Sequence, residues 1–173
     1  AVEICLAGWE SNDRRILSLK ESVAFDSQTF VHRSVHLPDV DNQKVELRIA
    51  TVKEAVTDCR AVTAVTHPLK VGGKYPVKSY ERMVSAGIPL AIENMDKRKP
   101  SGFDQKELEK LVTSTGCKFV LDVQHAYEHD HSMKYAGGLL ESVASHLAHL
   151  HVSGETKDNI HSLVHKAINA RKI

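Results

Sequence analysis

At 173 residues the chain can bury one substantial core and not comfortably two, so a single domain is expected over 1–173. Hydrophobic residues make up 42% and charged residues 26%, with no apolar run of membrane-spanning length, which excludes a membrane partner and fits a soluble chain. A formal charge of +1 provides no broad cationic field, so bulk electrostatics do not ask for a nucleic-acid partner.

In chain order, Val2 to Ala7 reads as a first strand, and Ser11 to Phe25 as a helix with Ile16, Leu19 and Val23 on one face. Ala7 leads at once into Trp9 and Glu10, so no secretory leader is expected. Phe30 to Leu37 is a second strand closed by Pro38, and Asp41 is placed to cap a helix striped by Val45, Ile49, Val52, Val56 and Cys59. Ala61 to Thr66 is a third strand, stopped by His67-Pro68. A glycine loop at 71–74 leads into a helix from Pro76 to Ala86, with Gly87 as its left-handed stop.

Ile88 to Glu93 is the fourth strand, and Asp104 with Glu107 forms a capping-box pattern opening a helix that Gly116 ends. Cys117 to Val123 is the fifth strand, buried on both faces, with His125 expected in the loop just beyond it. A helix over Ser132 to Ser145, a sixth strand over Leu147 to Val152 and a last helix over 158–170 complete the reading. Strand and helix alternate six times, which predicts βαβ units and a parallel α/β sheet, an incomplete barrel of the TIM type. The three cysteines, Cys5, Cys59 and Cys117, are odd in number and far apart, which suits a reduced, cytoplasmic protein.

The strand ends carry the chemistry. From the second strand onward each finishes on a residue able to bind metal: His36, His67, Glu93, Asp122 and His151, at intervals close to the roughly 30 residues of a βαβ repeat. Side chains alternate along a strand, so these five would aim inward at the carboxyl rim if the sheet curls. Any one of them alone is more often a hydrogen-bonded core or surface residue; five in register point to a shared cation. A set of imidazoles and carboxylates suits zinc, manganese or iron over calcium or magnesium. His125 follows Asp122 closely enough to join them, and His161 is a further candidate. His149 is expected to pack one layer deeper, Glu3 and Glu10 lie where they could enter the mouth, and His32, His129, His131, His146 and His165 are read as solvated or structural.

Ile-Glu-Asn at 92–94, Leu-Asp-x-x-His-Ala at 121–126 and Leu-His-Val-Ser at 150–153, with Val-Glu-Ile at 2–4, resemble successive segments of the xylose-isomerase-like metal barrels. That superfamily holds sugar isomerases and epimerases together with apurinic endonucleases of the endonuclease IV type. The resemblance implies that Glu93, Asp122 and His151 hold a central divalent metal. In the endonuclease branch, residues like His36 and His67 join them, and an outer zinc is held by a His like His125 and an Asp-x-His pair. Here that pair reads Asn159-Ile160-His161. The family barrel has eight strands, and by the resemblance the first and last units are not represented, including a final glutamate. The chain is then a fragment or a shortened barrel, or its open sheet is closed by a partner in a homo-dimer.

Three functions follow from this reading. The first is a metal-dependent sugar or sugar-phosphate isomerase or epimerase, with Glu93 and His125 as the catalytic pair. The second is a zinc phosphodiesterase acting on abasic DNA, against which stand the near-neutral charge and the scarcity of basic loops. The third is a metal-holding or interaction protein without turnover.

Overall fold

The structure is a computed structural model, and it describes residues 1–6, 9 and 30–173. The helix expected over Ser11 to Phe25, and Ala7 and Glu10, lie outside the described residues. Six parallel strands form one sheet in sequence order: β1 (Val2–Cys5), β2 (Arg33–His36), β3 (Thr63–Thr66), β4 (Leu90–Glu93), β5 (Lys118–Asp122) and β6 (Leu147–His151). Five α-helices are described: α1 (Val45–Cys59), α2 (Val77–Ser85), α3 (Gln105–Thr115), α4 (Val123–His129) and α5 (Lys134–Val143). The sheet curls into a half-barrel, far enough for the Glu3 carboxylate on β1 to lie 3.1 Å from the His151 ring on β6.

Strand alternation divides the side chains between two layers. Val35, Ala64, Leu90, Ile92, Phe119 and Leu121 face outward into the main core, where Ile49, Val52, Tyr80, Met83, Leu108, Val112 and Leu139 from the helices meet them. Burying each of the larger of these stabilises the fold by about 1.5–3 kcal/mol. Val65, Ala91 and Val120 face inward and form a small apolar floor. Glu93 and Asp122 follow at two-residue spacing, so they stand on the same inner face, one rung nearer the carboxyl rim.

A register shift between Phe119 and Val120 sets Leu147 opposite Phe119 and His149 opposite Val120, leaving Ala148 as the extra residue of a bulge. Leu147 can then pack into the outer core while His149 and His151 keep the inward face.

Several local expectations are corrected. The helix expected over 158–170 is absent: Gly154 pairs with Ser162 in an isolated antiparallel bridge, and the only helical turn there is a 3-10 turn at Val164–Lys166. Asn159 Oδ1 accepts from the His161 amide and Thr156 Oγ1 from the Asn159 amide, so side chains take the backbone donors a helix would use. His125 is not in a loop, because α4 begins directly after β5 with Asp122 as its N-cap, the carboxylate accepting from His125 N. Asp41 does not cap α1, whose N-cap is Lys44 in the left-handed region; it accepts instead from Gln43 N and pairs with Arg48. Asp104 does cap α3, but Glu107 pairs with Lys70 and Tyr75 and does not reach back to complete a capping box.

Candidate metal centre at the carboxyl ends of the strands

Glu93, Asp122, His36 and His151 are each the last residue of their strand, and His67 stands one residue past β3. They converge on Glu93. Its Oε2 is 3.1 Å from His36 Nε2 and 3.9 Å from His67 Nε2, and its Oε1 is 3.2 Å from His151 Nδ1 and 3.6 Å from His125 Nδ1. The Glu93 side chain is only 3% exposed, so a buried carboxylate has four imidazoles as its immediate surroundings. Asp122 and His151 are direct register partners across β5 and β6, which puts the second carboxylate beside the last imidazole.

Ligand atoms within 4.8 Å of one another gather in four groups: His36, His67 and Glu93; Glu93, Asp122 and His151; Asp122, His125 and His161; and Glu3, His149 and His151. Glu93, Asp122 and His151 are each shared between two groups, which strings all four into one continuous set. The donor chemistry fits zinc or a similar divalent ion: a tetrahedral site with metal–nitrogen distances of about 2.0–2.1 Å has ligand–ligand edges of roughly 3.3 Å. The 3.1 and 3.2 Å separations around Glu93 are close to that edge.

The rings are held from behind. His36 Nδ1 meets Leu37 O at 3.1 Å, His67 Nδ1 meets Asp39 Oδ1 at 3.1 Å, and His125 Nδ1 meets Asn94 O at 2.8 Å. Tying one ring nitrogen to a fixed oxygen selects the tautomer and leaves the other nitrogen as the available ligand.

Metal-free, the cluster settles its charge by protonating imidazole. Burial opposes ionisation of Glu93, but hydrogen bonds from His151 and His36 and the charge on both rings outweigh it and hold the carboxyl far below its usual range. Burial likewise opposes protonation of His151, yet Glu3 and Glu93 on either side push it up to about 10. His36 is raised by Glu93 for the same reason, against its own desolvation. Asp122 moves the other way: burial is the leading cause, the Glu93 charge adds to it, and the carboxyl sits above its usual value although His125 offsets part of the rise. A carboxylate that resists ionisation next to another one is a place where a cation lowers the energy of the whole group.

The seven residues singled out from the sequence, His36, His67, Glu93, Asp122, His125, His151 and His161, are all brought together here, including His161 from the segment expected as a helix. His149 is more than a packed interior residue, since its Nε2 lies 3.2 Å from His151 Nε2. Burial and the neighbouring His151 and His32 push it down to about 4, so it stays neutral. Glu3 enters the interior. Asp39 was not anticipated, and only its place three residues after His36 could have drawn attention to it. In the sequence Asn94 stands out only as part of the Ile-Glu-Asn segment. Fully buried, it donates from Nδ2 to Asp122 O at 3.0 Å and accepts from Asp122 N at 2.8 Å, replacing ladder bonds where β4 and β5 end. Asn94→Ala leaves the Asp122 amide without its acceptor, while the Asp122 carbonyl keeps the first bond of α4, and is expected to cost about 2 kcal/mol in urea unfolding.

No family model matches the chain, and no curated protein matches it in sequence. Among solved structures it is similar to L-ribulose 3-epimerase, with a TM-score of 0.57 and 15% identity, covering 88% of this chain and 59% of that one. It is also similar to a xylose isomerase domain containing protein from Salmonella typhimurium, with a TM-score of 0.52 and 15% identity over 93% of this chain and 76% of that one. The chain therefore spans less than two thirds of the epimerase's length. No helix among the described residues is long and apolar enough to cross a membrane. Six parallel strands in sequence order and these two likenesses give the described residues the fold of an incomplete α/β barrel.

Proposed function

We propose that the chain performs divalent-metal-dependent chemistry of the sugar isomerase or epimerase kind on a small sugar or sugar phosphate at the carboxyl rim. The observation that carries this reading is the buried, ionised Glu93 standing with Asp122 and His151 around one point, on a barrel whose solved neighbours bear sugar isomerase and epimerase names. Zinc is the first choice for the ion, with manganese or iron as alternatives, and it would polarise a carbonyl or hydroxyl oxygen of the substrate. Glu93, Asp122 and His151 would hold it. His125, with its Nδ1–H anchored on Asn94 O, presents a fixed imidazole to a sugar hydroxyl. Glu93 is the candidate to take and return the proton moved between carbons.

The test is incubation of the purified protein, loaded in turn with zinc, manganese and cobalt, with a panel of ketoses and their phosphates. Interconversion is followed by chromatography, with Glu93→Gln as the inactive control. A panel left unchanged under all three metals would sink the reading.

A second reading has one observation in its favour. The groups around His36 and His67, around His151, and around His125 and His161 are linked through shared Glu93 and Asp122, an arrangement suited to several cations acting on one phosphodiester. Incision of a duplex carrying an abasic site, abolished by Glu93→Gln, would decide for this phosphodiesterase.

A further inference from the structure

Three imidazoles at the rim share one device: a ring nitrogen tied to an oxygen that stands outside the Glu93 and Asp122 pair, on Leu37, Asp39 or Asn94. For His151 the corresponding oxygen is a carboxylate from the far side of the half-barrel. Its Nε2 is 3.1 Å from Glu3 Oε2, while its Nδ1 is 3.2 Å from Glu93 Oε1. Ile4 lies in the outer core, so Glu3 beside it on β1 is turned inward. Ser34, its register partner on β2, donates from Oγ to the same Oε2 at 2.7 Å and fixes the carboxylate in place. β1 and β6 are the two edges of the sheet, so this contact joins strands that no ladder joins.

We propose that Glu3 is the positioning residue for His151: it accepts the Nε2–H, which leaves the Nδ1 lone pair directed at the point shared by Glu93 and Asp122. This rests on the reading of that point as a metal site. A neutral imidazole has one N–H and one lone pair, so which nitrogen can ligate is decided by what the other one donates to. Without Glu3, Nε2 would face His149 Nε2, 3.2 Å away, a ring nitrogen that is donor or acceptor according to its own tautomer. Either tautomer of His151 would then be tolerated. The rival role for Glu3 is as a ligand in its own right, because Glu3, His149 and His151 are also close enough together to hold an ion. The two roles differ in the number of ions bound.

The experiment compares wild type with E3L, E3Q and S34A, each titrated with zinc against a competing chelator, with zinc per chain measured by elemental analysis. The zinc-loaded proteins, labelled with nitrogen-15 in histidine, are also observed by NMR. Zinc per chain is expected to stay constant while affinity falls about 10- to 100-fold in E3L, the range seen when a ligand loses its outer partner. The loss should be smaller in E3Q, whose amide oxygen still accepts, and in S34A. The slowly exchanging Nε2–H of zinc-bound His151 is expected in wild type and lost in E3L. If E3L fails to fold, E3Q and S34A carry the comparison. Unchanged affinity with a persistent Nε2–H signal overturns the proposal, as does a drop of one ion per chain, which would make Glu3 a ligand with His149. A wild type that takes up no zinc would overturn the proposed function along with it, an outcome separate from either of these.

Discussion

Glu93→Gln is expected to empty the rim of tightly held metal, to abolish turnover and to destabilise the metal-free chain by about 3 kcal/mol, a typical consequence of removing one partner from a buried ion pair. Glu93 belongs to two of the four donor groups and lies within 4 Å of a nitrogen on each of His36, His67, His125 and His151. Glutamine keeps the volume but replaces one acceptor oxygen with an amide whose hydrogens point at rings that also carry hydrogens. It also removes the negative charge that both the ion and the imidazolium rings require. Zinc affinity should fall by more than about 100-fold, since loss of an outer partner alone reaches that range and Glu93 is itself a donor. Glu109→Gln, on the exposed face of α3, serves as the control and should leave both quantities unchanged. Elemental analysis after dialysis, together with urea unfolding in chelator, reads both effects. Wild-type zinc content in Glu93→Gln would mean that the ion sits elsewhere.

The strand ends were legible in the sequence because the βαβ repeat has a fixed length and a strand has a fixed side-chain period. One ligand-type residue per repeat, two positions after an inward apolar residue, is enough to place Glu93 and Asp122 beyond Ala91 and Val120. What connects distant strands was harder to read. Nothing in the spacing of Glu3 and His151 shows that the sheet curls far enough for them to meet, because curvature accumulates over every intervening strand pair. The bulge at Ala148 is similarly hidden: only the packing of Leu147 into the outer core reveals that a residue was added to keep His149 and His151 inward. The segment after β6 misled because its apolar spacing is compatible with a helix. Thr156 and Asn159 engage the backbone locally instead, which is how His161 comes to face His125 at a ring separation of 5.2 Å.

Stability against pH should reverse its trend when zinc is added. In the metal-free chain His151 is raised to about 10 and His36 is raised as well, from an unfolded value near 6.5. Their contribution is therefore complete below pH 6.5, and it declines as pH rises through the folded values, because there the native state holds protons that the unfolded chain has released. Glu93, depressed when folded, contributes above its unfolded value of 4.5 and loses that contribution in acid. His149, pushed down to about 4, stays neutral in the native state and costs stability as pH falls from 6.5 towards 4. These three slopes put the metal-free optimum near pH 6 to 6.5, with a loss on the order of 3 kcal/mol between there and pH 9 from His151, to which His36 adds in the same direction. Zinc needs the same rings deprotonated, so its stabilisation grows over the interval in which the proton-held form weakens. Melting temperatures recorded from pH 5 to 9 with chelator should fall on the alkaline side, and with excess zinc they should rise, so that the gap between the two curves widens with pH. His151→Gln should flatten the metal-free decline and narrow the gap. A metal-free protein as stable at pH 9 as at pH 6.5 would show that the imidazolium between Glu3 and Glu93 does not hold the two edges of the sheet together.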